Sequence, residues 1–131
     1  MSRTAHCSCG QLSIRLEGEP RGVGVCHCLA CQRRTGGVFA TLAGFRGPYE
    51  VTGQATEYVR EGDQGARFRF CPVCGANLFH TEEGVEGRVS VAVGGFGDPD
   101  FPPPTVSVYD CRRHDWVRLP DGVETFERDP D

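Results

Sequence analysis

The chain contains no lysine: all fourteen basic residues among its 131 are arginine. Schiff-base chemistry on a lysine amine, or a lysine general base, is thereby excluded. A positive balance is missing too. Eighteen acidic residues leave a formal charge of -4. With no basic strip interleaved with aromatics, the chain is not built to coat nucleic acid. Long apolar runs are absent, and nothing approaches the roughly 20 residues of a membrane-crossing helix. The opening Met-Ser-Arg-Thr-Ala-His-Cys has no apolar stretch of the secretory kind. The expected compartment is therefore the cytoplasm, where thiols stay reduced. No internal repeat, linker or charge run divides the sequence, so one domain over residues 1–131 is expected.

Glycine is abundant at 18 residues and proline at nine, a composition of short strands and turns. Leu12, Ile14 and Leu16 alternate with Ser13 and Arg15, the period of a half-buried strand. Further strands are expected at 38–42, 56–59, 67–70, 78–80, 88–93, 106–109 and 116–119. Arg67-Phe68-Arg69-Phe70 should turn its phenylalanines inward and its arginines out. Turn signals separate these runs, among them Glu61-Gly62-Asp63 and Asp121-Gly122. One short helix is expected over Leu29–Thr35, stopped by Gly36-Gly37. The tail from Glu127 reads as disordered. The predicted class is mainly β.

Against these absences stand eight cysteines, which in a reducing compartment read as metal ligands before disulfides. Seven of them form three clusters: Cys7-Ser8-Cys9-Gly10, Cys26-His27-Cys28-Leu29-Ala30-Cys31 and Cys71-Pro72-Val73-Cys74-Gly75. Two cysteines with two residues between them bend the chain so that both sulfurs reach one ion, and Gly75 permits a positive φ just after the second ligand. Such a knuckle supplies two of four tetrahedral ligands. Cys7 and Cys9, also followed by glycine, are natural partners for Cys71 and Cys74. That would leave Cys26, Cys28 and Cys31 as three thiolates with one coordination position open, the mark of a catalytic zinc. Spacing alone equally allows Cys28 and Cys31 to pair with Cys71 and Cys74 in a ribbon.

The order C-x-C-G, C-H-C-x-x-C, C-P-x-C-G resembles the glutathione-dependent formaldehyde-activating enzyme family, also described as the centromere-protein-V type. Gly36-Gly37-Val38-Phe39-Ala40, Gly75-Ala76-Asn77-Leu78 and Trp116-Val117-Arg118-Leu119-Pro120-Asp121-Gly122 are similar to family segments as well, so the resemblance runs from Cys7 to Phe126. It implies a β-tent, folded-over antiparallel sheets stapled by zinc. It implies a structural zinc on Cys7, Cys9, Cys71 and Cys74 and a catalytic zinc on Cys26, Cys28 and Cys31, two ions per chain. The implied activity makes or cleaves a carbon–sulfur bond between glutathione and formaldehyde.

Other residues carry less. Arg33 and Arg34 follow the second cluster, where their planar forks could hold a carboxylate of the thiol substrate. Cys111 stands apart and reads as a small buried hydrophobe. His27, between two candidate ligands, should point its ring away from the metal, as a surface or hydrogen-bonded histidine. Trp116 should pack in the core or at its rim. His6, His80 and His114 have no motif context. A second class of function, a zinc-stabilised binding module without chemistry, requires only that a fourth side chain such as His27, His80, His114 or Cys111 close the three-cysteine site.

Overall fold

The computed structural model describes residues 1–61 and 65–129. Its strands and helix, in chain order, are β1 (Ser2–His6), β2 (Ser13–Glu17), β3 (Gly22–Cys26), α1 (Leu29–Thr35), β4 (Ala40–Arg46), β5 (Tyr49–Thr52), β6 (Thr56–Arg60), β7 (Ala66–Phe70), β8 (Asn77–Thr81), β9 (Arg88–Ala92), β10 (Val106–Val108) and β11 (Glu124–Thr125). Short 3-10 turns occupy Val93–Phe96 and Asp110–Arg112. The expected mainly β class with one short helix is what the chain adopts, and the helix has the expected bounds.

Two compact units interleave along the chain. The first comprises Met1–Arg21 and Ala43–Phe101, the second Gly22–Leu42 and Pro102–Asp131. In the first, β1, β2 and β5 form an antiparallel sheet with β2 in the middle. Its alternation works as expected: Leu12, Ile14 and Leu16 are buried, and Arg15 between them is exposed. Strands β6, β7, β8 and β9 follow as antiparallel neighbours. On β7, Phe68 is buried, while Arg67 pairs with Glu57 and Glu83 and Arg69 with Glu57. A bulge between Arg69 and Phe70 breaks the period there and leaves Phe70 only half-buried. Ala5, Phe45, Leu78, Val89 and Val91 complete this core.

In the second unit β10 runs parallel to both β3 and β11, so the sheets are mixed rather than purely antiparallel. Parallel neighbours need a long connection, and here everything between Cys26 and Val106 supplies it. The run 116–119 is not a strand. Val117 N–H bonds back to the His114 carbonyl in a turn, and Arg118 reaches the backbone of Asp115 and Val117. Only Val117 of that run is buried, and Trp116 is 68 % exposed rather than packed in the core or at its rim. The tail is ordered as far as it is described. The Glu127 and Arg128 carbonyls accept from Cys111 and Tyr109, and Tyr109 Oη lies 3.2 Å from an Asp129 carboxylate oxygen. The turn expected at Gly62-Asp63 lies outside the described residues. Strands β1, β3, β5 and β11 were not foreseen, although β3 alternates glycine with buried Val23 and Val25.

Candidate metal centres

The first thiol cluster belongs to the first unit. Cys7 follows β1 and Cys71 follows β7. Cys7 N–H bonds the Leu12 carbonyl and Cys71 N–H bonds the Ala76 carbonyl, each five residues on. Gly10 and Gly75 turn the chain inside these loops at φ 84° and 79°, a region that disfavours a side chain. The two hairpins bring the Cys7, Cys9, Cys71 and Cys74 sulfurs within 4.8 Å of one another. Cys7 and Cys71 are buried, Cys9 and Cys74 exposed.

This donor set fits zinc. The sulfurs of a zinc tetrathiolate stand about 3.8 Å apart, the edge of a tetrahedron with 2.3 Å bonds. Cys9 Sγ is 3.6 Å from Cys7 Sγ and 3.7 Å from Cys71 Sγ, far beyond a disulfide bond. Backbone N–H groups of Leu12, Val73 and Cys74 approach the sulfurs at 3.3, 3.3 and 3.5 Å, as they would to disperse thiolate charge. Gln11 contributes most closely. Its Nε2 donates to Cys71 Sγ at 2.9 Å and to the Gln54 carbonyl at 2.8 Å, while its Oε1 accepts from Gln54 N–H at 2.9 Å. The Gln54 peptide thus fixes the amide and aims its remaining N–H at sulfur. Burial works against ionisation of Cys71, but Gln11 and the Cys74 and Val73 amides hold its thiol down to about 6. The Ala76 amide, with that of Cys9, lowers Cys74. The backbone N–H of Gln11 pulls Cys9 down, yet burial and the sulfurs around it push it up to about 11.

The second cluster belongs to the second unit. Cys26 ends β3, Cys28 caps α1, and Cys31 lies in its first turn. Cys31 N–H bonds Cys28 Sγ at 3.3 Å, closing the knuckle. The three sulfurs lie within 4.8 Å of one another, and among the described residues no histidine, carboxylate or fourth thiol joins them. The contact with Cys31 and burial push the Cys26 thiol upward, and burial does the same to Cys28. Without a cation these thiols keep their protons, so a metal must displace them. Three thiolates on one face suit a thiophilic ion and leave a tetrahedral position unfilled.

The surroundings of this cluster were barely legible in the sequence. His27 is fully buried, with Nε2 3.0 Å from Ser107 Oγ, which donates to Asp110 Oδ1 at 3.2 Å. Arg113 Nε pairs with the same Asp110 oxygen at 3.2 Å. The ring points away from the thiols, as its position between two of them suggested. Arg33 and Arg34 fall in the last turn of α1, where cations complement the carbonyl end. Arg33 is exposed and Arg34 half-buried. Cys111, expected to be buried, is exposed in the second 3-10 turn and belongs to neither cluster. Gln11, Gln32 and Ser107 went unrecognised because a hydrogen-bonding residue remote in sequence from its partner leaves no spacing signal.

The mainly β architecture presents two thiol clusters, one of four donors and one of three, that could hold metal ions. A family model described as glutathione-dependent formaldehyde-activating enzyme matches residues 2–112. The chain belongs to that family. No curated protein matches it. A Rhodobacter sphaeroides protein of known crystal structure is similar over 94 % of this chain and 98 % of its own, with 22 % identity and a TM-score of 0.57. At that identity the likeness concerns the fold. No helix among the described residues is long and apolar enough to cross a membrane.

Proposed function

We propose that the protein is a zinc-dependent carbon–sulfur lyase or synthase that joins glutathione, or a related thiol, to a small aldehyde such as formaldehyde and releases it again. The family assignment supports glutathione-related aldehyde activation. The observation that carries the reading is the unequal pair of clusters, four sulfurs in one and, in the other, three with no further donor among the described residues. Cys7, Cys9, Cys71 and Cys74 would hold a structural zinc, and Cys26, Cys28 and Cys31 a catalytic one. When bound there, zinc supplies a positive charge that favours the thiolate form of a thiol beside it.

The chain's own residues set the rest. Cys26, Cys28 and Cys31 would fix where the ion, and with it the reacting sulfur, is held, which removes much of the entropic cost of the encounter. The thiol sulfur attacks the carbonyl carbon, the π pair moves to oxygen, and the thiol proton ends on that oxygen. No electrons are gained or lost overall. Arg33 and Arg34 are proposed to bind the glutathione carboxylates through their guanidinium forks. With eight thiols to keep reduced, the cytoplasm is the proposed compartment.

Zinc content, melting temperature and thiol-dependent exchange in the Cys28→Ser variant test the reading. We expect one zinc lost from two, the fold kept and the rate abolished. Loss of folding in that variant would make the second cluster structural and favour a binding module instead. Equal glutathione-dependent rates for metal-free and zinc-loaded protein would refute catalysis at this cluster.

A further inference from the structure

Gln32 determines which nitrogen of His114 carries a proton. Its Nε2 lies 2.8 Å from the His27 carbonyl oxygen and 3.2 Å from that of Arg112. Both partners only accept, so this atom is the amide nitrogen and both of its hydrogens are committed. The other end of the amide, Oε1, is therefore an acceptor, 3.0 Å from His114 Nε2. His114 donates from Nε2, and in the neutral ring the lone pair sits on Nδ1. Trp116 meets this ring edge-on, with centroids 6.2 Å apart and an interplanar angle of 82°.

The same amide ties the imidazole to the three-thiol cluster. Gln32 follows Cys31 on α1, and the carbonyl it bonds belongs to His27, between Cys26 and Cys28. His114 is nonetheless not a member of the cluster. A ring tied through Gln32 to the backbone between Cys26 and Cys28, outside the donor set and with its basic nitrogen unclaimed by Gln32, is suited to serve a substrate rather than the metal.

We propose that His114 transfers the proton in the reaction proposed above, on which this inference rests. The substrate S–H bond breaks as its proton passes to Nδ1. The sulfur forms the C–S bond, the carbonyl π pair goes to oxygen, and Nδ1 returns the proton to that oxygen. His114 ends as it began, and no oxidant or reductant is consumed. The reverse reaction uses the same steps. Gln32 acts as a positioning residue that holds the ring in the competent tautomer.

The test follows glutathione–formaldehyde exchange by NMR magnetisation transfer, using the full zinc-loaded chain. His114→Gln keeps an amide N–H for Gln32 but offers no nitrogen that takes up a proton, and His114→Ala removes the ring. We expect kcat to fall about 10²- to 10⁴-fold in both, the usual reach of general acid–base catalysis, with KM little changed. Zinc per chain and melting temperature should match wild type, and added imidazole should restore part of the rate of His114→Ala. Exchange by His114→Gln at the wild-type rate would overturn the proposal. Loss of one zinc per chain in either variant would also overturn it, because His114 would then be a ligand. If wild type itself leaves exchange at the spontaneous rate, the underlying reaction falls and this inference with it. Wild-type acceleration with a fully active His114→Gln removes only His114.

Discussion

Replacing Gln11 takes away the side-chain N–H that reaches the Cys71 sulfur. Its contact is 2.9 Å, against 3.3 to 3.5 Å for the backbone donors at the same cluster. Loss of one outer-shell partner typically costs about 10- to 100-fold in metal affinity. Because the shortest and best-fixed donor is removed, the upper part of that range is expected, roughly 30- to 100-fold. Gln11→Leu deletes the donor together with both bonds to Gln54. Gln11→Glu keeps length and shape but presents oxygen to a thiolate, so it should do at least as much harm. Gln11→Asn lacks the reach and should not rescue. Competition of the zinc-loaded protein with a chromophoric chelator measures the change. In cobalt-substituted protein the sulfur-to-metal charge-transfer band should shift as well, which a general loosening of the fold would not produce. Zinc affinity of Gln11→Leu and Gln11→Glu within twofold of wild type would refute the reasoning.

Gly53→Ala should damage the same clamp from its other side. The added methyl would collide with the Gln11 carbonyl, and the backbone there has φ +97°. Backbone strain alone costs on the order of 1–3 kcal/mol, so a lower melting temperature is expected, and an unchanged one would count against the placement of this turn. Cys111→Ser should leave two zinc ions per chain and the melting temperature unaltered, since Cys111 is exposed and outside both clusters; loss of an ion on mass spectrometry would contradict that.

Legibility followed the range of each interaction. The thiol clusters were visible because knuckle spacing is a local covalent constraint, and Gly10 and Gly75 marked the paired turns through their backbone freedom. The helix was visible through its glycine stop, and its cysteine cap emerged only in the structure. Strands β1 and β3 were not, because Ser2–His6 and Gly22–Cys26 have few large apolar side chains and owe their order to neighbours. At 116–119 apolar content misled, since Val117 alone finds the core and the chain turns at His114. The roles of Gln11 and Gln32 depend on partners 60 and 80 residues away, beyond the reach of any pattern.

The same distinction of range explains why the two clusters would treat their ions differently. Cys9 and Cys71 are 62 residues apart, and the length-dependent entropy of closing such a loop is about 4 kcal/mol. An ion bound there holds two distant hairpins together, so part of its binding free energy is folding free energy. Cys26, Cys28 and Cys31 lie within six consecutive residues on the end of β3 and the start of α1, and closing so short a loop costs only about 1.5 kcal/mol by the same relation. Those elements have their own anchors: β10 pairs with β3, and the Gln32 amide bonds the His27 and Arg112 carbonyls. The ion on three thiols can therefore leave or exchange a ligand without undoing the segment that carries it. A brief chelator challenge should remove one equivalent with the melting transition retained, and remove the second only as the fold is lost. Simultaneous release of both equivalents with unfolding would show that the three-thiol cluster also holds the structure together.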